Sequence, residues 1–134
     1  MRQLETEDAI FIVHPNGIIE AHSKPDWDKP DTPEIARNYA LKIKEAVGNN
    51  ICGVLTIAPN LYIPKESLEA YASVDIGHIA DALLVSSIGT RIFATVAIKI
   101  VKPLTPTKIF TKQKEAEEWL LEQIAAVKES RGNG

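Results

Sequence analysis

Three histidines, one cysteine and scattered hydroxyls and carboxylates are the residues of this 134-residue chain that could do chemistry. His14 and His22 flank a Pro15-Asn16-Gly17 turn, a spacing that brings two imidazoles close across a hairpin. With Asp26 or Asp28 from the following loop they have metal-ligand types, but their spacing matches no zinc pattern. Strand-end or surface imidazoles, and no metal, are therefore expected. His78 approaches an apolar strand and reads as a loop or half-buried polar group. Asp26, Asp28 and Asp31 lie too close together on one loop to form an acid–base pair by spacing alone. Cys52 opens the apolar run Ile51-Cys-Gly-Val-Leu55 and reads as a small buried hydrophobe. As a nucleophile it would need a basic neighbour, and the sequence places none there. No acid, base and nucleophile converge, so a chain without enzymatic activity or cofactor is expected.

A stronger lead is the segment from Ser87 to Val101. Ile88, Ile92, Val96 and Ile100 recur at helical spacing, with Phe93, Ala97 and Val101 beside them, and only Arg91, Thr95, Lys99 and Lys102 make a polar stripe. A helix this apolar needs cover on most sides. Packing into its own core, a homodimer contact and one wall of an apolar ligand pocket all satisfy that need. Ile88, Arg91, Ile92, Thr95, Val96 and Lys99 are the candidate interface or ligand residues. Ser86, Ser87 and Thr90 could cap the helix, and its N-terminus with Gly89 would suit an anion. Arg91 is either an anion ligand or a solvated surface charge. Trp27, between two aspartates, either packs on the sheet edge or anchors a partner.

The elements that position these groups follow from periodicity. Ala9–His14 and Ile18–His22 form a hairpin around Asn16-Gly17. Thr32-Pro33-Glu34 starts a helix with a hydroxyl cap, a first-turn proline and an acid at the positive end of the dipole. Ile35, Tyr39, Ile43 and Val47, with Ala36, Ala40 and Ala46, form its apolar stripe, and Gly48 ends it. Residues 51–58 read as a strand covered on both faces. Residues 65–73 read as a short helix with Leu68, Tyr71 and Ala72 inward. Strands follow at 82–85 and 108–110, and a closing helix after Thr111 buries Ala116, Trp119, Leu120, Ile124 and Val127. The order β-β-α-β-α-β-α-β-α predicts an α/β domain with a mostly parallel sheet and the hairpin at one side.

With its elements placed, the chain resembles the small bacterial STAS-like proteins, related in fold to anti-sigma-factor antagonists and loosely to Sec14-type lipid-binding domains. Lys65-Glu-Ser-Leu-Glu-Ala-Tyr-Ala-Ser73, Ala82-Leu-Leu-Val-Ser-Ser87, Arg91, Lys102-Pro-x-x-Pro-Thr-Lys-Ile-Phe-Thr111 and Glu115-Ala-x-x-Trp-Leu120 carry the resemblance, which spans roughly residues 8 to 125. It implies a module that binds a protein partner, switched by phosphorylation at the start of the helix after the third strand. Ser67 is the matching hydroxyl and the candidate phosphoacceptor, read otherwise as a solvent-facing serine. The usual Asp-Ser-Ser/Thr-Gly motif is replaced here by Ile63-Pro-Lys-Glu-Ser67.

Composition bounds the rest. At this length one domain buries about two-thirds of the surface its unfolded chain exposes. The boundaries expected are an extension at 1–7, a domain at 8–128 and a flexible tail at 129–134. A net charge of -3 with no basic face argues against nucleic acid. No apolar run reaches the ~20 residues of a membrane span, no signal peptide is visible, and a lone cysteine suits a reducing cytoplasm. The function expected is a cytoplasmic, non-catalytic interaction module, homodimeric or bound to a regulatory protein. The alternative is a carrier of a small apolar ligand or lipid.

Overall fold

The computed structural model describes residues 1–25, 27, 32–58, 65–85 and 105–132. Six strands form one mixed sheet: β1 (Arg2–Glu5), β2 (Ala9–Val13), β3 (Ile18–Ser23), β4 (Gly53–Ala58), β5 (Ala80–Val85) and β6 (Thr107–Phe110). Their order across the sheet is their order along the chain. β1–β2 and β2–β3 are antiparallel, and every pair from β3 to β6 is parallel. The expected α/β class, the parallel sheet and the hairpin at its side are all present. β1 lies within the stretch expected to be an N-terminal extension. It pairs with β2 over its full length, and the Arg2 guanidinium donates to Ala46 O at 3.3 Å.

Among the described residues three helices cover the sheet: α1 (Pro33–Val47), α2 (Lys65–Ala72) and α3 (Gln113–Gly132). α1 begins as its sequence dictates, with Thr32 Oγ1 accepting from Ile35 N at 3.2 Å, and closes at Gly48, whose N–H donates to Lys44 O. Crossovers between parallel strands are right-handed, and a strand order that always advances the same way puts them on one face. α1 and α2 accordingly pack against each other. Phe11, Ile19, Ile43, Val47 and Val54 fill the core beneath them. α3 takes the opposite face and rests mainly on β4, β5 and β6 and on the margin of β3, burying Ala116, Leu120 and Ile124 against Ile18, Leu55, Ala80 and Ala82. It runs to Gly132, into the stretch expected to be a tail.

Two glycines set close approaches. Gly17 holds a φ of +95° in the hairpin turn, where Asn16 Oδ1 accepts from Ile18 N at 3.0 Å. Gly53 lets α3 approach β4, since a Cβ there would stand 2.9 Å from Leu120 Cδ2. The alternation of β4 then puts Val54 in one core and Leu55 in the other, both without exposed surface. This fits the unbroken apolar run that reads as a doubly covered strand.

Candidate functional site

Because α3 stops at the margin of β3, one face of the antiparallel half is left without a helix among the described residues. Period-two alternation decides which side chains stand there. Ala9, Phe11 and Val13 of β2 point into the core under α1, so Ile10 and Ile12 point the other way, and both are half-buried. Ile10 pairs with Glu5 and His22, and Ile12 with Gln3 and Glu20. Glu5 and Lys24 form an ion pair at 3.4 Å in this region.

The centre of this face is polar. His14 Nε2 donates to Glu20 Oε1 at 2.7 Å, and His22 Nε2 donates to Glu20 Oε2 at 2.9 Å. A carboxylate only accepts, so each ring presents an N–H at Nε2. The side chains are 27%, 13% and 34% exposed for His14, Glu20 and His22. The hairpin sets the two histidines on either side of Glu20, each against a different carboxylate oxygen. Among the described residues their carboxylate partner is Glu20; Asp26 and Asp28 lie outside those residues. The signal for Glu20 was present: Glu-x-His on one strand shares a face, and the Asn-Gly turn fixes the register that delivers His14. Among the described residues no group of three or more His, Cys, Asp or Glu side chains could hold a metal ion.

His14 also borders a half-open cleft of about 490 Å³ whose lining includes Asn49, Asn50, Cys52 and Lys128. Burial pushes the Cys52 thiol above its ordinary value, while the Lys128 ammonium pulls it the other way. The basic neighbour that the sequence could not place is therefore Lys128. Its influence is the weaker one, so the thiol stays protonated and is no activated nucleophile.

A second polar group lies inside the protein. Asp81 Oδ2 accepts from His78 Nε2 at 2.6 Å and from Thr105 Oγ1 at 3.1 Å. His78 and Asp81 side chains are only 8% and 11% exposed. The Thr105–Asp81 bond links β5 with the approach to β6, beside the pair Asp81–Thr107. His78 Nδ1 is buried without a hydrogen-bond partner among the described residues. Tyr71 ionises well above its ordinary range, because of burial first and then Asp81 and Tyr39. Sequence reading passed over Asp81, though a charge inside Ala-Asp-Ala-Leu-Leu-Val was a visible anomaly.

Ser67 corrects an expectation. It is fully buried, not solvent-facing, and its Oγ has no partner among the described residues. Residues 67 and 71 are one turn apart on the inner side of α2, and Ala72, expected inward, is exposed. A hydroxyl with no accessible surface is not presented to a kinase in this conformation. Ile88, Arg91, Ile92, Thr95, Val96 and Lys99, with Ser86, Ser87, Thr90 and Lys102, lie outside the described residues. Trp27 is half-buried. No helix among the described residues is long and apolar enough to cross a membrane.

A model of a family described as a domain of unknown function, DUF7793, matches residues 15–124, and the chain belongs to that family. The match takes in Glu20, His22, Ser67, His78, Asp81 and Thr105 and begins one residue after His14. No curated protein and no solved structure matches the chain.

Proposed function

We propose that this domain is a non-catalytic, STAS-like interaction module of the bacterial cytoplasm, which associates with a regulatory protein or with a second copy of itself. The support in the fold is the face of β1–β3 that no described helix covers, where Ile10 and Ile12 remain half-buried beside a polar centre. Half-covered isoleucines flanked by polar groups are the make-up of a contact patch with a hydrophobic middle and a wet rim. The apolar periodicity of residues 87–101 supplies a second candidate surface, and the resemblance to STAS-like proteins points the same way. The close-set acids and bases are engaged with each other: Glu20 with two histidines, Asp81 with His78 and Thr105. That engagement favours binding over bond-making.

Carriage of a small apolar ligand is the second reading, favoured by the cleft beside His14, where Val13, Ala46 and Ile51 join the polar lining. Native mass spectrometry of the protein purified from its own host separates the two. A dimer or a defined protein complex, dispersed by Ile10→Lys or by Ile92→Lys, is the expected result. A monomer with a stoichiometric small-molecule adduct would replace the interaction reading with the carrier. A bare monomer that captures nothing would remove both.

A further inference from the structure

We propose that the cleft beside the hairpin turn binds a small monocarboxylate with an apolar tail. The proposal rests on the carrier reading of this cleft and gives its ligand a head group; it is independent of the docking reading. Three parts of the chain meet here: the turn between β2 and β3, the end of α1 with the residues after it, and the last turns of α3. The volume of about 490 Å³ lies within the roughly 300–1,000 Å³ of small-molecule sites.

The lining is sorted by depth. Ala46 and Cys52 are buried and Val13 and Ile51 half-buried, whereas Asn49, Asn50 and Lys128 are exposed. An apolar chain laid on the first group keeps its polar end level with the second. The charge at that level selects an anion. Among the described lining residues there is no Asp or Glu, and Lys128 supplies an ammonium. Its field reaches the floor, where it acts on Cys52, and the thiol itself stays protonated and adds no negative charge. The negative end of the α1 dipole would by itself repel an anion. Its carbonyls are already engaged: Lys44 O accepts from Gly48 N at 3.1 Å, and Val47 O accepts from Asn50 N at 3.0 Å and Asn50 Nδ2 at 3.3 Å. Ala46 O accepts from the Arg2 guanidinium, which brings a second cation to the same helix end. One ammonium with side-chain amides beside it suits a singly charged carboxylate. A phosphate is better matched by a guanidinium fork, and the described lining holds no arginine.

The test is a titration of the ¹⁵N-labelled full chain with sodium hexanoate, at constant ionic strength. Hexanamide and hexylphosphonate serve as the neutral and the more highly charged counterparts. Saturable shifts of the Gly17, Asn49, Asn50 and Cys52 backbone amides are expected, with a Kd of roughly 1–10 mM for so small a probe. Both counterparts bind more weakly, by about threefold or more. Lys128→Met weakens hexanoate binding by about the same factor, and Lys128→Arg restores it. Lys128 is exposed, so neither change touches the core. No saturable shift up to about 50 mM hexanoate overturns the proposal. Shifts confined to other parts of the chain, or an unchanged Kd in Lys128→Met, overturn it equally. Hexanamide bound as tightly as hexanoate removes the carboxylate and leaves the carrier reading standing, whereas tighter hexylphosphonate binding replaces the carboxylate with phosphate. If none of the three binds, this proposal falls, and the native mass spectrum decides the carrier reading separately.

Discussion

Gly53 and Leu120 offer a sharp test of how α3 is seated. A Cβ at residue 53 would lie 2.9 Å from Leu120 Cδ2 and 3.6 Å from its Cβ and Cγ. The terminal methyl could swing away from an isolated contact, but Leu120 has no exposed surface and packs with Ala116 and Ile124. Gly53→Ala therefore overpacks the interface, at a cost of about 1–3 kcal/mol. The loss of unfolded-state freedom returns roughly 0.4–1 kcal/mol of it. Leu120→Ala alone should cost about 2–5 kcal/mol through lost burial and the void it leaves. In the double variant the new methyl at 53 enters that void, so its clash disappears. The double should then be no less stable than Leu120→Ala, with a favourable coupling of roughly 1–3 kcal/mol, well above the ~0.5 kcal/mol scatter of independent sites. Urea unfolding followed by far-ultraviolet circular dichroism, with slopes compared across the four proteins, measures the coupling. Additive costs would refute the close seating of α3 on β4.

Three further outcomes follow from buried groups. Ser67→Ala removes a hydroxyl with no partner among the described residues and improves helix propensity, so a gain of about 1 kcal/mol is expected in the same assay; a loss of that size would mean Oγ is bonded in solution. Cys52 and Tyr71 both hold their protons more tightly folded than unfolded, relative to ordinary values of 9.0 and 10.0. Their contribution to stability is complete below the unfolded values and is lost as pH rises through the folded ones. Melting temperature should fall between about pH 9 and 11 and fall less in Tyr71→Phe, and a curve flat across that range would count against the burial of both groups. Iodoacetamide should label Cys52 slowly in the native protein and rapidly in urea; equal rates would place the thiol outside the core.

Much of the fold was legible because its signals are local. Asn16-Gly17 announced the hairpin, Thr32-Pro33 the start of α1, and the unbroken apolar run at 51–58 a strand with two covered faces. β1 was missed because Arg-Gln-Leu-Glu has little apolar content; an edge strand needs only one buried residue, and half-buried Leu4 supplies it. Ser67 and Ala72 were assigned to the wrong sides of α2 since a short helix with few large residues leaves its rotation to be set by packing against α1. The polar groups were only half visible. His14 and His22 could be paired by turn geometry, but Glu20 and Asp81 gained their roles through register and through contacts across the chain, such as Asp81 with Thr105, that no local spacing encodes.

The sheet whose strands lie in the order of their synthesis has a consequence for how this chain emerges from the ribosome. Each new strand finds its partner in the one made just before, so pairing needs no long wait and few distant closures. α3 is the exception, since it follows all six strands and must fold back from β6 as far as β3. Until residues 116–124 have been translated, Leu55, Ala80 and Ala82 lack the helix that covers them among the described residues. The nascent domain thus passes through a one-sided stage in which chaperone capture and self-association compete with completion. A chain halted before Ala116 would be a sticky fragment and not a smaller version of the domain.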